Sequence, residues 1–173
     1  RANFNVSKLP EGITSIGEYA FYKCSNLSLT SLPEGITSIG NYAFDTCTNL
    51  SLTSLPEGIT SLGTRVFAEC GMSLTSLPST ITSIGSNTFR SCRNLALTSL
   101  PEGITSIGSY AFYSCRSLST LTFKGTPTSI ASNAFTYCNR LTTINVPWAE
   151  GAVANAPWGA TNATINYNYT EEA

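Results

Sequence analysis

Histidine is absent from the 173 residues of this chain, and aspartate occurs once, at Asp45. Catalysis near neutral pH usually needs a tunable acid or base, most often histidine, so Ser-His-Asp and Cys-His arrangements are excluded. Glycine-rich phosphate-binding loops of the GxxxxGK and GxGxxG types are also missing. These absences predict a protein that is not an enzyme and that carries no cofactor.

Charge is scarce as well. Only 11% of the residues are charged, the formal net charge is -1, and no block of lysine or arginine occurs. The sequence therefore lacks the basic patch by which proteins bind nucleic acids or anionic membranes. No apolar run approaches the ~20 residues that a membrane-spanning helix needs. We expect neither a nucleic-acid partner nor insertion into a membrane.

Repetition is what the sequence has in abundance. The stretch LPEGITSIG at 9–17 returns at 32–40 and 100–108, with near copies at 55–63 and 77–85. A cysteine recurs every 22 or 23 residues with a phenylalanine three positions before it, which gives two ladders: Phe21, Phe44, Phe67, Phe89, Phe112 and Phe135; and Cys24, Cys47, Cys70, Cys92, Cys115 and Cys138. So short a unit cannot bury its apolar residues alone, so the period predicts a solenoid of stacked coils. Cutting after each cysteine gives coils 2–24, 25–47, 48–70, 71–92, 93–115 and 116–138.

Each coil has the pattern of two short extended pieces and two turns. In the second coil, Leu27, Leu29 and Leu32 predict a strand that ends at Pro33. Pro-Glu-Gly follows as a turn, ITSI as a second extended piece, and residues 41–47 as one helical or 3₁₀ turn. The glutamates of the Pro-Glu-Gly turns are expected to form an exposed, solvated ladder, with a weak cation site between neighbours as the alternative. They are Glu11, Glu34, Glu57 and Glu102.

The pattern C-x-x-L-x-L-x-x-L-P-E-G-I-T-S-I-G-x-Y-A-F-x-x-C resembles the BspA-like (treponemal-type) leucine-rich repeat over roughly residues 4–146. One difference is the strand, which reads LSLTSLP where that family more often has LTSITIP. The resemblance implies a bacterial, right-handed leucine-rich-repeat solenoid with a parallel sheet along one side. It also implies adhesion or host-protein binding, with extracellular matrix proteins as a usual class of partner.

The six cysteines allow three interpretations. No C-x-x-C pair occurs, and a zinc site needs about four converging ligands. Stacked coils place equivalent residues roughly 5 Å apart, which tolerates a disulfide, although an internal column usually lacks the required dihedral angle. A ladder of reduced, buried cysteines is favoured over disulfides and metal because free cysteine behaves as a small apolar residue.

Positions that differ between coils are those that the repeat does not dictate. Tyrosine and arginine, which are both enriched at recognition sites, concentrate in four variable columns around the phenylalanine and the cysteine. The candidate recognition face comprises Tyr19, Tyr22, Tyr42, Arg65, Arg90, Arg93, Tyr110, Tyr113, Arg116 and Tyr137. An ordinary solvated face is the alternative interpretation.

The two ends depart from the repeat in different ways. Phe4 already falls inside a repeat strand, so we expect further repeats or another domain upstream of Arg1. The repeat array, including a final strand, is predicted to span 1–146. Residues 147–173 abandon the period and carry both tryptophans, so they are predicted to form a C-terminal cap.

These features predict a non-enzymatic, surface-exposed module for adhesion or protein interaction. The expected partner is a protein, a host matrix protein being one class, or a glycan. We expect the protein to be secreted or at a cell surface, with a phage particle as another location. A structural spacer or stalk within a larger surface or phage-particle protein is the second hypothesis. An ice- or crystal-surface binder that uses Thr30, Thr53, Thr75 and Thr98 is a remote third, because that column breaks at Leu121.

Overall fold

The computed structural model describes residues 6–172, which form a parallel β-solenoid of about 7 turns of ~23 residues. Phe4, on which the expectation of further repeats or another domain upstream of Arg1 is based, lies outside the described residues. Within 6–172 the strands are β1 (Ser15–Ile16), β2 (Ser38–Ile39), β3 (Ser61–Leu62), β4 (Ser83–Ile84), β5 (Ser99–Leu100), β6 (Ser106–Ile107), β7 (Thr120–Phe123), β8 (Ser129–Ile130), β9 (Thr143–Asn145) and β10 (Thr164–Asn166). They form three parallel sheets, β1-β2, β3-β4-β6-β8 and β5-β7-β9-β10, which confirms the predicted solenoid.

The ITSI segments supply two of these sheets because each copy lies directly over the next. Ser15 pairs with Ser38, and Ile16 with Ile39, so the isoleucines stack in the core while the hydroxyl residues face solvent. The threonine of each ITSI is exposed, and several of them use their hydroxyl groups within the fold. The Oγ1 atoms of Thr37, Thr82, Thr105 and Thr128 each donate to the threonine carbonyl of the preceding coil.

The ladder is interrupted between β2 and β3, where the side chain of Asn41 contacts the next coil. The amide of Thr64 donates to Oδ1 of Asn41 at 3.0 Å. A Cβ atom on Gly63 would lie only 2.1 Å from the same oxygen, so glycine leaves the space that the asparagine occupies. At this point the ITSI ladder is divided into the sheets β1-β2 and β3-β4-β6-β8.

The LSLTSLP segments form regular strands only from the fifth coil onward. In the second coil Leu27, Leu29 and Leu32 are buried as predicted, but only isolated hydrogen bonds, such as that from the Ser51 amide to the Leu29 carbonyl, join this segment to the next coil, and no strand forms within 27–32. The prediction of a strand at 27–32 was therefore wrong. Strand β7 buries Leu121 and Phe123 at the regular interval.

The predicted helical or 3₁₀ turns are also absent from the described coils. Along residues 17–24 the backbone amides alternate between two uses. The amides of Ala20, Tyr22 and Cys24 donate within the coil, and those of Tyr19, Phe21 and Lys23 donate to carbonyls of the next coil. A 3₁₀ helix would need every amide for its own i to i+3 bonds. The stacking of coils takes every second amide, so a series of isolated turns forms instead.

Phenylalanine and cysteine line the centre of each coil. Neighbouring phenylalanine rings are stacked, with centroids 5.1–6.0 Å apart from Phe21 to Phe135. The cysteines are free thiols. Five of them donate to the phenylalanine carbonyl of the preceding coil at 2.9–3.0 Å: Cys47, Cys70, Cys92, Cys115 and Cys138. Each buried thiol therefore gives a phenylalanine carbonyl an additional hydrogen bond, which an aliphatic side chain at the same position could not donate.

Residues 147–172 add a last turn to the solenoid. Strand β10 pairs with β9, and the carbonyl of Trp158 accepts the Phe135 amide, as the Ala134 carbonyl accepts the Phe112 amide. Trp158 is fully buried and packs against Trp148. An ion pair between Lys124 and Glu171 fastens the end of the chain to the sixth coil. Within 6–172, no helix has the length and hydrophobicity to cross a membrane.

Candidate recognition face

Two variable columns hold their side chains at backbone positions that non-glycine residues rarely adopt. The first column has φ of 53–60° at Tyr19, Tyr42, Arg65, Asn87 and Tyr110. The second has φ of 55–61° at Lys23, Thr46, Glu69, Ser91, Ser114 and Tyr137. Each left-handed residue costs about 1–2 kcal/mol, and the repeated hydrogen bonds between coils offset this cost. The backbone thus fixes where these side chains leave the solenoid.

Three tyrosines form an N-terminal tyrosine cluster, which consists of Tyr19, Tyr22 and Tyr42. Tyr19 and Tyr42 stack with ring centroids 4.7 Å apart, and Tyr22 packs edge-on against Tyr19 at 5.4 Å. Lys23 Nζ lies 5.1 Å from the centroid of the Tyr22 ring. Desolvation, and after it the proximity of Tyr42 and Glu18, raise the pKa of Tyr19.

An ion pair separates this cluster from the rest of the face. Arg65 Nε lies 2.7 Å from one carboxylate oxygen of Asp45, and its Nη2 lies 3.3 Å from the other. Asp45 is 1% exposed and also accepts from the Thr46 hydroxyl at 2.8 Å. The hydrogen bond to Asp45 raises the pKa of Arg65. Arg65 therefore clamps two coils together and is not a free recognition group.

A second triad forms the C-terminal tyrosine cluster, Tyr110, Tyr113 and Tyr137. Tyr113 packs edge-on against both neighbours, with centroids 5.4 Å from Tyr110 and 5.3 Å from Tyr137. The guanidinium of Arg90 lies 4.2 Å from the Tyr113 ring centroid and donates to Asn87 Oδ1 at 3.2 Å. Tyr137 is 58% exposed, the most among the exposed large hydrophobic residues described. This cluster presents ordered aromatic rings to solvent with a stacked cation beside them.

The one-residue shortening of the fourth coil opens a cleft between the two clusters. A Cβ atom on Gly71 would lie 2.8 Å from the Thr48 carbonyl, so only glycine lets the chain pass here. The cleft measures about 440 Å³, and its lining consists of Thr48, Glu69, Cys70, Gly71, Ser91, Arg93 and Asn94. Hydroxyl, amide, carboxylate and guanidinium groups converge on it, so it can hydrogen-bond a polar ligand.

The structure brings seven of the ten predicted recognition residues into the two clusters and leaves three arginines outside them. The tyrosines and Arg90 lie in the two clusters, Arg93 lines the cleft, and Arg116 is exposed. Arg65 is engaged by Asp45. The sequence reasoning missed the cleft, although the single spacing of 22 among the cysteines marked its position. It also missed Arg140, because this exposed arginine lies one residue beyond the variable column.

Comparison with known proteins identifies relatives of this architecture. The sequence profile described as "BspA type Leucine rich repeat region" matches in 6 copies, over residues 2–96 and 62–150. The solved leucine-rich repeat protein of T. pallidum is 30% identical with a TM-score of 0.69, over 84% of this chain and 73% of that one. A solved leucine-rich repeat protein from Bacteroides ovatus is 30% identical with a TM-score of 0.62, over 77% of this chain and 35% of that one. This chain thus spans about a third of the Bacteroides protein. No curated protein matches the sequence.

Proposed function

Since the chain belongs to the BspA-type leucine-rich repeat family, we propose that it is a non-enzymatic binding module, secreted or displayed at a cell surface, that attaches to a protein or a glycan. The observation that carries the proposal is the pair of exposed tyrosine clusters on the variable columns. Leucine-rich repeat solenoids generally mediate interactions, since stacked coils offer an extended face with little chemistry of its own.

The tyrosines have the character of binding residues. Tyr19, Tyr22, Tyr110 and Tyr137 are 36–58% exposed, yet each packs against another ring of its cluster. Rings held in this way lose little conformational freedom when a partner covers them, and tyrosine offers both apolar surface and a hydroxyl group. Core packing does not account for them, because the core is complete with the phenylalanine ladder beneath. A partner that covers them would bury apolar surface now in water.

A binding screen tests the proposal. The purified chain would be offered to a panel of extracellular matrix proteins and to a glycan array, next to the variant Y110A/Y113A/R116A. The matched control is E11A/E34A/E57A, which also changes three exposed side chains but on the Pro-Glu-Gly turns. Thermal melts would establish that both variants fold.

The outcomes separate the proposal from its rival. We expect saturable binding to at least one partner, weakened at least tenfold by the first variant and changed less than twofold by the control. Absence of saturable binding would favour a spacer, as would equal binding by all three proteins. A spacer is the second candidate because the phenylalanine stack continues from coil to coil and hydrogen bonds join each coil to its neighbour.

A further inference from the structure

The arginines are distributed unevenly along the candidate recognition face. Of the chain's nine cationic residues, five lie in or beside the coils that carry the C-terminal tyrosine cluster. Lys124 is paired with Glu171, and the other four form an arginine patch that consists of Arg90, Arg93, Arg116 and Arg140. Between residues 90 and 140 the only acidic residue is Glu102. It lines a different cleft, with Ser99, Pro101 and Lys124. Among residues 6–172, no carboxylate forms an ion pair with any arginine of the patch.

The N-terminal tyrosine cluster has the opposite surroundings. Glu18 and Asp45 both raise the pKa of Tyr19, and among residues 6–172 the cation that lies over a ring of this cluster is Lys23. Arg65, in the third coil, is neutralised by Asp45. Two clusters of the same aromatic composition thus differ in charge, and only the C-terminal one is suited to an anion.

We propose that the C-terminal tyrosine cluster and the arginine patch bind a linear acidic polysaccharide that carries a carboxylate or a sulfate on its sugar units. This inference rests on the proposed function and names the class of partner. The polymer lies along the solenoid axis, with its acidic groups on the arginines and its sugar rings against the tyrosines.

The spacing of the arginines favours a polysaccharide over an acidic peptide. Arg93 and Arg116 occupy the same position in successive coils, and the Ser117 hydroxyl donates to the Arg93 carbonyl, so the two coils lie directly side by side here. Equivalent residues of adjacent coils are about 4.8 Å apart, whereas the same-face side chains of an extended peptide recur about every 6.8 Å. One sugar unit of a polysaccharide chain is about as long as the spacing between coils. Successive acidic sugars can therefore contact the arginines of successive coils.

The site is also arranged for sugar rings and hydroxyl groups. Tyr113 packs between Tyr110 and Tyr137, and such ring faces and edges are suited to the C–H faces of pyranoses. Arg90 is already oriented by its stacking on Tyr113 and by its bond to Asn87. Arg93 borders the cleft of about 440 Å³, where Ser91 and Asn94 can donate to hydroxyl oxygens and Glu69 can accept from hydroxyl groups. A polyanion without hydroxyl groups could not donate a hydrogen bond to the Glu69 carboxylate.

The test compares four immobilised polymers: polygalacturonate, heparin, neutral dextran and poly-L-glutamate. Binding of the purified chain would be measured at 50, 150 and 500 mM NaCl. The charge variant is R90Q/R93Q/R116Q. The matched control is K8Q/T30A/T53A, which changes three exposed side chains, one of them a cation, outside both tyrosine clusters and the arginine patch. Melts would verify folding, and the single variants R93Q and R116Q keep the test valid if the triple variant unfolds.

We expect saturable binding to polygalacturonate, heparin or both, at least tenfold tighter than to dextran. Between 50 and 500 mM NaCl it should weaken at least tenfold, since exposed charges are screened within about 10 Å at 0.1 M salt. The charge variant should lose at least tenfold in affinity and the control less than twofold. Binding no tighter than to dextran would overturn the inference, as would tighter binding to poly-L-glutamate or equal losses in the two variants. If the chain instead binds a protein or a neutral glycan, and Y110A/Y113A/R116A abolishes that binding, the proposed function stands and this inference is refuted. If neither screen detects binding, both are refuted.

Discussion

The buried cysteine ladder predicts that this protein loses stability steeply in alkali. The Cys92 thiol donates to the Phe67 carbonyl at 2.9 Å, and burial raises its pKa from 9.0 to about 12. In the unfolded chain the same thiol ionises near its ordinary pKa. The folded state therefore holds the proton over the interval from pH 9 to 12 while the unfolded state releases it. Stability is fully present below pH 9 and falls as the pH rises through this interval.

The magnitude follows from the number of buried thiols. A pKa difference of one unit corresponds to about 1.4 kcal/mol, so by pH 10 each buried cysteine has cost about 1.4 kcal/mol of unfolding free energy. Burial also raises the pKa of Cys47 and Cys138 to about 12, and raises those of Cys70 and Cys115 well above the ordinary value. The three thiols with a pKa of about 12 together remove about 4 kcal/mol by pH 10, and Cys70 and Cys115 add to this loss, which is a large part of the whole stability of a typical domain, about 5–15 kcal/mol.

Urea unfolding at pH 7, 8.5, 9 and 10, in the presence of a reducing agent, measures this loss. We expect the midpoint to change little from pH 7 to 8.5 and to fall sharply above pH 9. Cys92→Ala should reduce the slope by about one fifth, because one of five titrating groups is gone. Cys24→Ala is the matched control, since Cys24 is only half-buried and its removal should reduce the slope less. An unchanged midpoint at pH 10, or identical slopes for the two variants, would refute the reasoning.

Three further predictions concern the packing of coils. Phe89→Ala should cost about 3–5 kcal/mol of unfolding free energy because the ring is fully buried between two others, and Phe21→Ala clearly less because its ring is only half-buried; equal urea midpoints would contradict this. Gly125→Ala should lower the free energy of unfolding by about 1–3 kcal/mol, since its Cβ atom would lie 2.1 Å from a backbone oxygen. The control is Gly103→Ala, whose Cβ atom would meet nothing nearer than 3.7 Å; equal melting temperatures for the two variants would contradict the prediction. Asp45→Ala should cost about 2 kcal/mol by removing a buried, charge-assisted hydrogen bond, and a loss below about 0.5 kcal/mol in urea unfolding would refute that role.

The repeat period and the family could be predicted from the sequence because both depend on which residue types recur. Isoleucine must stack on isoleucine in ITSI, and that requirement is visible in the spacing alone. Other features depend on how adjacent coils share hydrogen bonds, which a single coil does not reveal. The predicted helical turn fails because every second amide, such as that of Tyr19, bonds to the next coil. The pairing of Arg65 with Asp45 was equally hidden, since their columns are adjacent only after stacking.

Because the backbone makes the hydrogen bonds between coils, the side chains of the candidate recognition face can vary without changing the fold. Most left-handed positions of the two variable columns use their amides to hold the next coil, and their side chains lie outside the core, although that of Arg65 also holds two coils together through Asp45. A substitution such as tyrosine by arginine at one of these positions therefore changes the surface chemistry and leaves the stacking as it was. The two ends of one face can for that reason carry different charges, as Glu18 beside Tyr19 and Arg90 beside Tyr113 do here. A solenoid built in this way acquires a new ligand by changing columns in two or three coils, without changing its architecture.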